Sequence, residues 1–185
     1  MDKDKLDELR SKRLKLQEEV RHKELRQRVA YQISHLEQLG ESYLVYYECE
    51  YLNWIDSKVK VRKRDGYHGM YGDFQIDVDD STAKSSFQIS EEKINSEEFA
   101  NHFLSLIAAE NSLIICYQGG DPELEISVKA FLADPSVYFA RPETWIVTKD
   151  KKWIIEYIWE QEVIRFIELL ESTPVLVRKL LIGEK

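Results

Sequence analysis

Hydrophobic positions in the first forty residues recur at helical spacing, with no proline and no glycine before Gly40, so the pattern predicts one long helix that Gly40 ends. At about 1.5 Å per residue such a helix reaches on the order of 50 Å, more than the width of the globular body that must follow it. Its apolar residues form two sets. Leu6, Leu9, Leu16 and Val20 follow a three-and-four spacing, interrupted by Arg13, that marks a narrow coiled-coil-like seam. Leu25, Val29, Ile33 and Leu36 start five residues after Val20, which turns the stripe by roughly 140° at about 100° per residue. The two halves therefore bury different faces: residues 25–39 pack on the body, and residues 1–24 form a projecting charged arm.

Beyond Gly40 the period changes. SYLVYYECEYL (42–52) and KVKVRKR (58–64) alternate at period two around the loop 53–57, predicting an antiparallel hairpin with Glu50 opposite Lys60 and Glu48 opposite Arg62. RDGYHGMYGD (64–73) carries three glycines and reads as a loop, with FQIDV (74–78) and FQIS (87–90) as short strands around a further turn. Ser96 is placed to cap a helix on which Phe99, Phe103, Leu106 and Ile107 share a face. SLIICYQ (112–118) is continuously apolar, as a strand covered on both faces would be, and GGDPE closes it. In LEISVKAFLA (124–133) the start alternates like a strand and the end suits a helix, and both readings stay open. TWIVTKDKKWIIEYIW (144–159) predicts a second hairpin, and EQEVIRFIELLES a helix with Val163, Phe166, Ile167 and Leu170 on one face. Thr173 and Pro174 restart a last short helix that Gly183 ends. The sum is an α+β fold with a mainly antiparallel sheet of about five to seven strands, helices packed on one side, and the long charged N-terminal helix in front. Residues 25–185 read as a single α+β domain behind the arm.

Composition narrows the partners. With 185 residues and 43% hydrophobic content, the chain can bury one good core. A formal charge of −8 disfavours non-specific binding to phosphate backbones or anionic membranes and favours a basic partner. Cys49 and Cys116 sit in apolar or aromatic runs, so two buried, reduced thiols are expected. The start MDKDKLDE has no apolar core of the secretory kind, and no run approaches the length of a membrane span. A cytoplasmic protein without membrane contact is the expectation.

Candidate chemistry is sparse. His22, His35, His68 and His102 are scattered with no zinc-ligand spacing, and no metal or cofactor is expected. The glycine-rich turns lack both the phosphate-loop and the dinucleotide fingerprints, and no serine or cysteine shows an activating neighbour. His68 and Asp73 are the candidate acid/base pair, within the loop 66–73, for a small-ligand site or an enzyme. Asp73, Asp77, Asp79 and Asp80 crowd one segment; their spacing does not match a calcium loop, and they offer a landing surface for a basic protein. Lys58, Lys60, Arg62 and Arg64 beside tyrosines fit a nucleic-acid groove, although Glu48 and Glu50 on the facing strand would neutralise much of that face. Trp54, at the predicted hairpin tip, is a candidate partner anchor. The pattern as a whole favours a non-enzymatic protein-binding module of the inhibitor, immunity or adaptor type. It would use Trp54, the carboxylates and the arm, whose seam suits a homodimer or a partner coiled coil. The loop 66–73 as an enzyme or ligand site is the alternative, and the basic strand 58–64 as a nucleic-acid surface the second.

Overall fold

The computed structural model describes residues 3–59, 61–63, 74–76, 83–107, 111–117, 119–141, 144–158 and 161–169. In chain order the elements are α1 (Lys3–Arg28), α2 (Ala30–Leu39), β1 (Tyr43–Tyr46), α3 (Glu50–Lys58), β2 (Val61–Lys63), β3 (Phe74–Ile76), β4 (Ala83–Ser90), α4 (Glu97–Ile107), β5 (Ser112–Tyr117), β6 (Glu123–Ser127), α5 (Val128–Ala133), α6 (Pro135–Tyr138), β7 (Thr144–Thr148), β8 (Trp153–Ile158) and β9 (Val163–Leu169). Seven strands form one antiparallel sheet in the order β1-β6-β5-β7-β8-β9-β4, and β2 and β3 pair as a separate ribbon. The fold is α+β, as the hydrophobic pattern predicts.

Interior strands are mostly apolar because both faces of the sheet are covered, with Glu123, Glu156 and Arg165 as buried charged exceptions. On the first face, Leu113, Ile115 and Tyr117 of β5, Ile155 of β8 and Phe166 of β9 meet Val29, Ile33 and Leu36 from the α1–α2 segment, Phe99 and Phe103 of α4, and Phe131 of α5. On the second face, Ile114, Cys116, Trp145, Val147, Ile154 and Ile167 lie under Ile55 and Val59 from the α3 segment and Ile76 of β3. The helix ends follow local chemistry. Ser96 Oγ accepts from Phe99 N at 3.1 Å at the start of α4, and Ser127 Oγ accepts from Ala130 N at 2.9 Å at the start of α5. Gly40 closes α2 in the left-handed conformation, φ 68°, where a side chain would be strained. LEISVKAFLA resolves as strand to Ser127 and helix from Val128, the switch falling at that cap.

The N-terminal helix expected to run unbroken to Gly40 is interrupted at Val29, φ −111° and ψ 19°, between α1 and α2, and helices cover both faces of the sheet rather than one, α3 lying on the second. Two segments also change type. The hairpin of 42–52 with 58–64 does not form: Tyr43–Tyr46 pairs with β6, residues 50–58 are helical, and Val61–Lys63 pairs with β3. Cys49, at φ 48°, turns the chain out of β1. The Glu123 carboxylate then accepts from the amides of Tyr51 (3.1 Å) and Leu52 (2.6 Å), satisfying the open N–H groups of α3 in the way an N-cap does. Tyr51, Ile55 and Val59 stand four apart, so the same residues that alternate also make a helical face. The second segment is 163–169, a strand rather than a helix, paired on one side with β8 and on the other with β4. Ile164 and Phe166 point to the first face and Ile167 and Leu169 to the second, so a residue set that mimics a helical stripe is a doubly buried strand. The last helix expected after Thr173 lies outside the described residues.

One ion pair is buried under the second face. Arg165 Nε donates to Glu156 Oε2 at 3.0 Å, and Arg165 Nη2 bonds both that oxygen and, at 2.7 Å, the carbonyl of Ile76. Glu156 Oε1 accepts from Trp145 Nε1 (3.1 Å) and from the Ile76 amide (2.8 Å). Burial pushes the Glu156 carboxyl up from its ordinary value, while Arg165, the indole and the amide oppose that rise. Each half of the pair fixes one backbone group of Ile76, so the pair also clips the β2–β3 ribbon to the sheet. Replacing Arg165 by Leu leaves a buried carboxylate without its counter-ion and is expected to cost about 3–5 kcal/mol in urea unfolding. A loss below about 1 kcal/mol would contradict this role.

Candidate functional site

The N-terminal helix is anchored at its C-terminal end only. Leu25 and Val29 are buried, and His22 stacks on Tyr47 with ring centroids 3.9 Å apart. Arg26 lies over the Tyr43 ring, 5.5 Å to its centroid, and bonds the Tyr43 hydroxyl, which itself donates to Glu37 at 2.8 Å. A further anchor is Asp121, a buried carboxylate. Its Oδ1 meets Arg28 Nη1 at 3.2 Å and its Oδ2 meets Arg141 Nη2, while the Arg141 guanidinium sits 4.8 Å above the Tyr117 ring. Gly119 and Gly120, at φ 95° and 76°, make the turn that presents Asp121 to both arginines.

Outside that anchor the helix faces water. Leu9, Leu16 and Val20 are 51%, 61% and 49% exposed, and every described residue from Asp7 to Arg21 is exposed. At about 100° per residue, Leu9, Leu16 and Val20 centre roughly 180° from Leu25 and Val29, so the seam looks directly away from the body. Leu6 is half-buried at the outer end of the same line, and Leu14, 65% exposed, lies off the seam on the docked side.

The second sheet face carries the remaining polar chemistry. Glu125 accepts from Ser112 Oγ (2.9 Å) and the Tyr46 hydroxyl and pairs with Lys149 Nζ (2.7 Å). Burial raises its carboxyl, but the Lys149, Tyr46 and Ser112 bonds outweigh this and hold it below its ordinary value. The same contact pushes the Tyr46 phenol up to about 12. Glu123, whose carboxyl burial raises, is occupied by the α3 amides. Burial also lifts the thiols of Cys49 and Cys116, with Glu123 adding to the effect, which disfavours the thiolate that nucleophilic chemistry needs. Neither cysteine is in a disulfide.

Trp54 is half-buried on α3, packed against the second core, and Lys151 Nζ stands 5.3 Å from its ring and 5.1 Å from that of Tyr51. It is therefore not at a hairpin tip, and much of its ring is already in contact. Lys58 ends α3 rather than starting a strand, so Lys58, Lys60, Arg62 and Arg64 do not share one strand face; Lys60 and Arg64 lie outside the described residues. His68, Asp73, Asp77, Asp79 and Asp80 also lie outside them. The other histidines pack against aromatic rings: His35 edge-on to Tyr138, and His102 edge-on to Phe87 and Phe166. A cleft of about 410 Å³ between the start of α4 and the α5–α6 junction is lined by Ile94, Phe99, Leu132 and Asp134 among others, and none of its lining residues is a histidine, cysteine or lysine.

No motif or periodicity in the sequence marks Asp121, Glu123, Glu125 or the Glu156–Arg165 pair as a site. A signal for the last existed: one negative charge inside WIIEYI and one positive charge inside VIRFI, two isolated charges of opposite sign in otherwise apolar strands. Among the described residues, no three His, Cys, Asp or Glu side chains are grouped to hold a metal ion, and no helix is long and apolar enough to cross a membrane.

Comparison with protein-family models, with curated proteins and with solved structures returns no match in any of the three.

The Glu125 cluster gives a pH test. A carboxyl held below its ordinary value stabilises the fold above that value, and the contribution fades as pH falls through the lowered one. Glu125→Gln is expected to lose about 1–2 kcal/mol at pH 7, with the difference from wild type shrinking below about pH 4.5. Urea titrations across that range check it, and a difference independent of pH would contradict it.

Proposed function

We propose that this protein is a non-enzymatic binding module that engages another protein through the outer part of α1. The observation that carries the reading is the exposed seam of Leu9, Leu16 and Val20 on a helix whose docked face is on the opposite side. A lone helix segment with no tertiary support is marginal in water, and a seam at heptad spacing is the pattern by which helices gain such support from a partner. The acidic surface plays a smaller part in this reading than composition alone suggests. Asp121, Glu123, Glu125 and Glu156 are turned inward and bonded within the chain.

The test compares wild type with a Leu9→Ser/Leu16→Ser variant. Both positions are exposed, so unfolding stability is expected to change by less than about 1 kcal/mol. Binding, read as co-purification from source-cell lysate together with self-association in sedimentation, is expected to depend on the seam. Binding that survives the double substitution unchanged, or the absence of both heterologous and self binding in wild type, would overturn the reading.

A further inference from the structure

Resting on the reading of α1 as an engagement arm, we propose that its occupant is a second copy of this chain, with the two α1 helices paired antiparallel over about residues 6 to 23. The argument is charge register. With Leu6, Arg13 and Val20 at a positions and Leu9 and Leu16 at d, the flanking g and e positions are Lys5, Arg10, Lys12, Gln17, Glu19, Glu24 and Arg26. In a parallel, in-register pair, each g residue faces the e residue five positions on in the other chain. That sets Lys5 against Arg10 and Glu19 against Glu24, two like-charge contacts, and Lys12 against neutral Gln17.

Reversing one helix changes the outcome. Leu9 then packs on Val20 of the second copy, Arg13 lays its aliphatic stem along Leu16 of the second copy, and Lys12 faces Glu19 of the second copy, each contact occurring twice by symmetry. Arg10 meets neutral Gln17. The single like-charge juxtaposition, Lys5 with Arg26, falls where Arg26 is already drawn onto the Tyr43 ring and hydroxyl of its own chain. In the isolated chain Lys12 pairs with Glu8 at 2.6 Å, an exposed contact one turn away that is weak enough to exchange.

Body geometry allows the arrangement. Because the seam faces away from Leu25 and Val29, a second helix at the usual 8–10 Å, about the spacing of packed helices, runs along α1 on the side opposite the body and displaces none of its contacts. Arg13 at an a position, Lys23 at the d position facing Leu6 of the second copy, and the short seam make the pairing weak and salt-sensitive, as suits reversible association.

Sedimentation equilibrium of the full chain at low salt tests it, with Lys12→Glu, Glu19→Lys and the double swap. Wild type is expected to show a reversible monomer–dimer equilibrium. Each single swap is expected to weaken it about 3- to 10-fold, and the double swap to restore it to within about 2-fold. Glu19→Lys strengthening the dimer would signal the parallel arrangement and overturn the proposal, as would a double swap that fails to restore it. A wild-type chain that stays monomeric up to about 1 mM overturns self-pairing, while seam-dependent capture of a different protein from lysate would still support the arm reading; loss of both removes both.

Discussion

Burial of charge beneath the second face of the sheet is the constraint on which the rest of the architecture depends. Glu123 and Glu156 are buried and Glu125 half-buried on interior strands, where water solvates them poorly, so each finds its partners inside the chain. Glu123 finds them in the first amides of α3, Glu125 in Tyr46, Ser112 and Lys149, and Glu156 in Arg165, Trp145 and the backbone of Ile76. In each case the partner includes a segment beyond the strand that carries the carboxylate. A ribbon as short as β2–β3 has little stability of its own, and its bonds to Glu156 and Arg165 give it a fixed place. Apolar contacts alone would hold these segments near the sheet; the carboxylates set where each one sits.

The same logic at Asp121 explains how a long helix can be attached firmly and still remain mostly free. One buried carboxylate holds Arg28 and Arg141 together, Leu25 is buried, and Val29 joins the first core. On the helix side these contacts come from the last turn of α1 and the residue that follows it. Nothing in the described body reaches the seam beyond Val20, so the outer helix has no internal reason to be there as a fixed rod. An element that is ordered at one end and solvated at the other is suited to pairing with something outside its own body.

How far the sequence could be read depended on whether a local pattern had one structural meaning. The break between Val20 and Leu25, the Gly40 stop, the Ser96 cap, the continuous run of β5 and the β7–β8 hairpin each had one, and the structure agrees with them. Residues 50–58 had two: Tyr51, Ile55 and Val59 satisfy a helical period while the surrounding residues alternate, and the Glu123 carboxylate seventy residues away decides the matter by capping the helix. Residues 163–169 were ambiguous in the same way, since Val163, Phe166 and Ile167 fit a helical face until β4 and β8 claim both edges of the strand. The anchoring of α1 was legible only as far as its apolar residues. Arg28, Arg141 and Asp121 are ordinary surface residues in sequence, and only the glycine turn at 119–120 and the loop before β7 bring them together. A hairpin tip would expose Trp54; on a helix it is half-buried against the second core instead.

The central claim is that the outer part of α1 draws no support from its own body. Hydrogen–deuterium exchange of the dilute, full-length chain measures this residue by residue. Rapid exchange is expected through about residues 6 to 20, rising to strong protection from Leu25 onward and in β5, β7, β8 and β9. Uniformly strong protection along the whole of α1 in dilute solution would mean that its own body supports it after all.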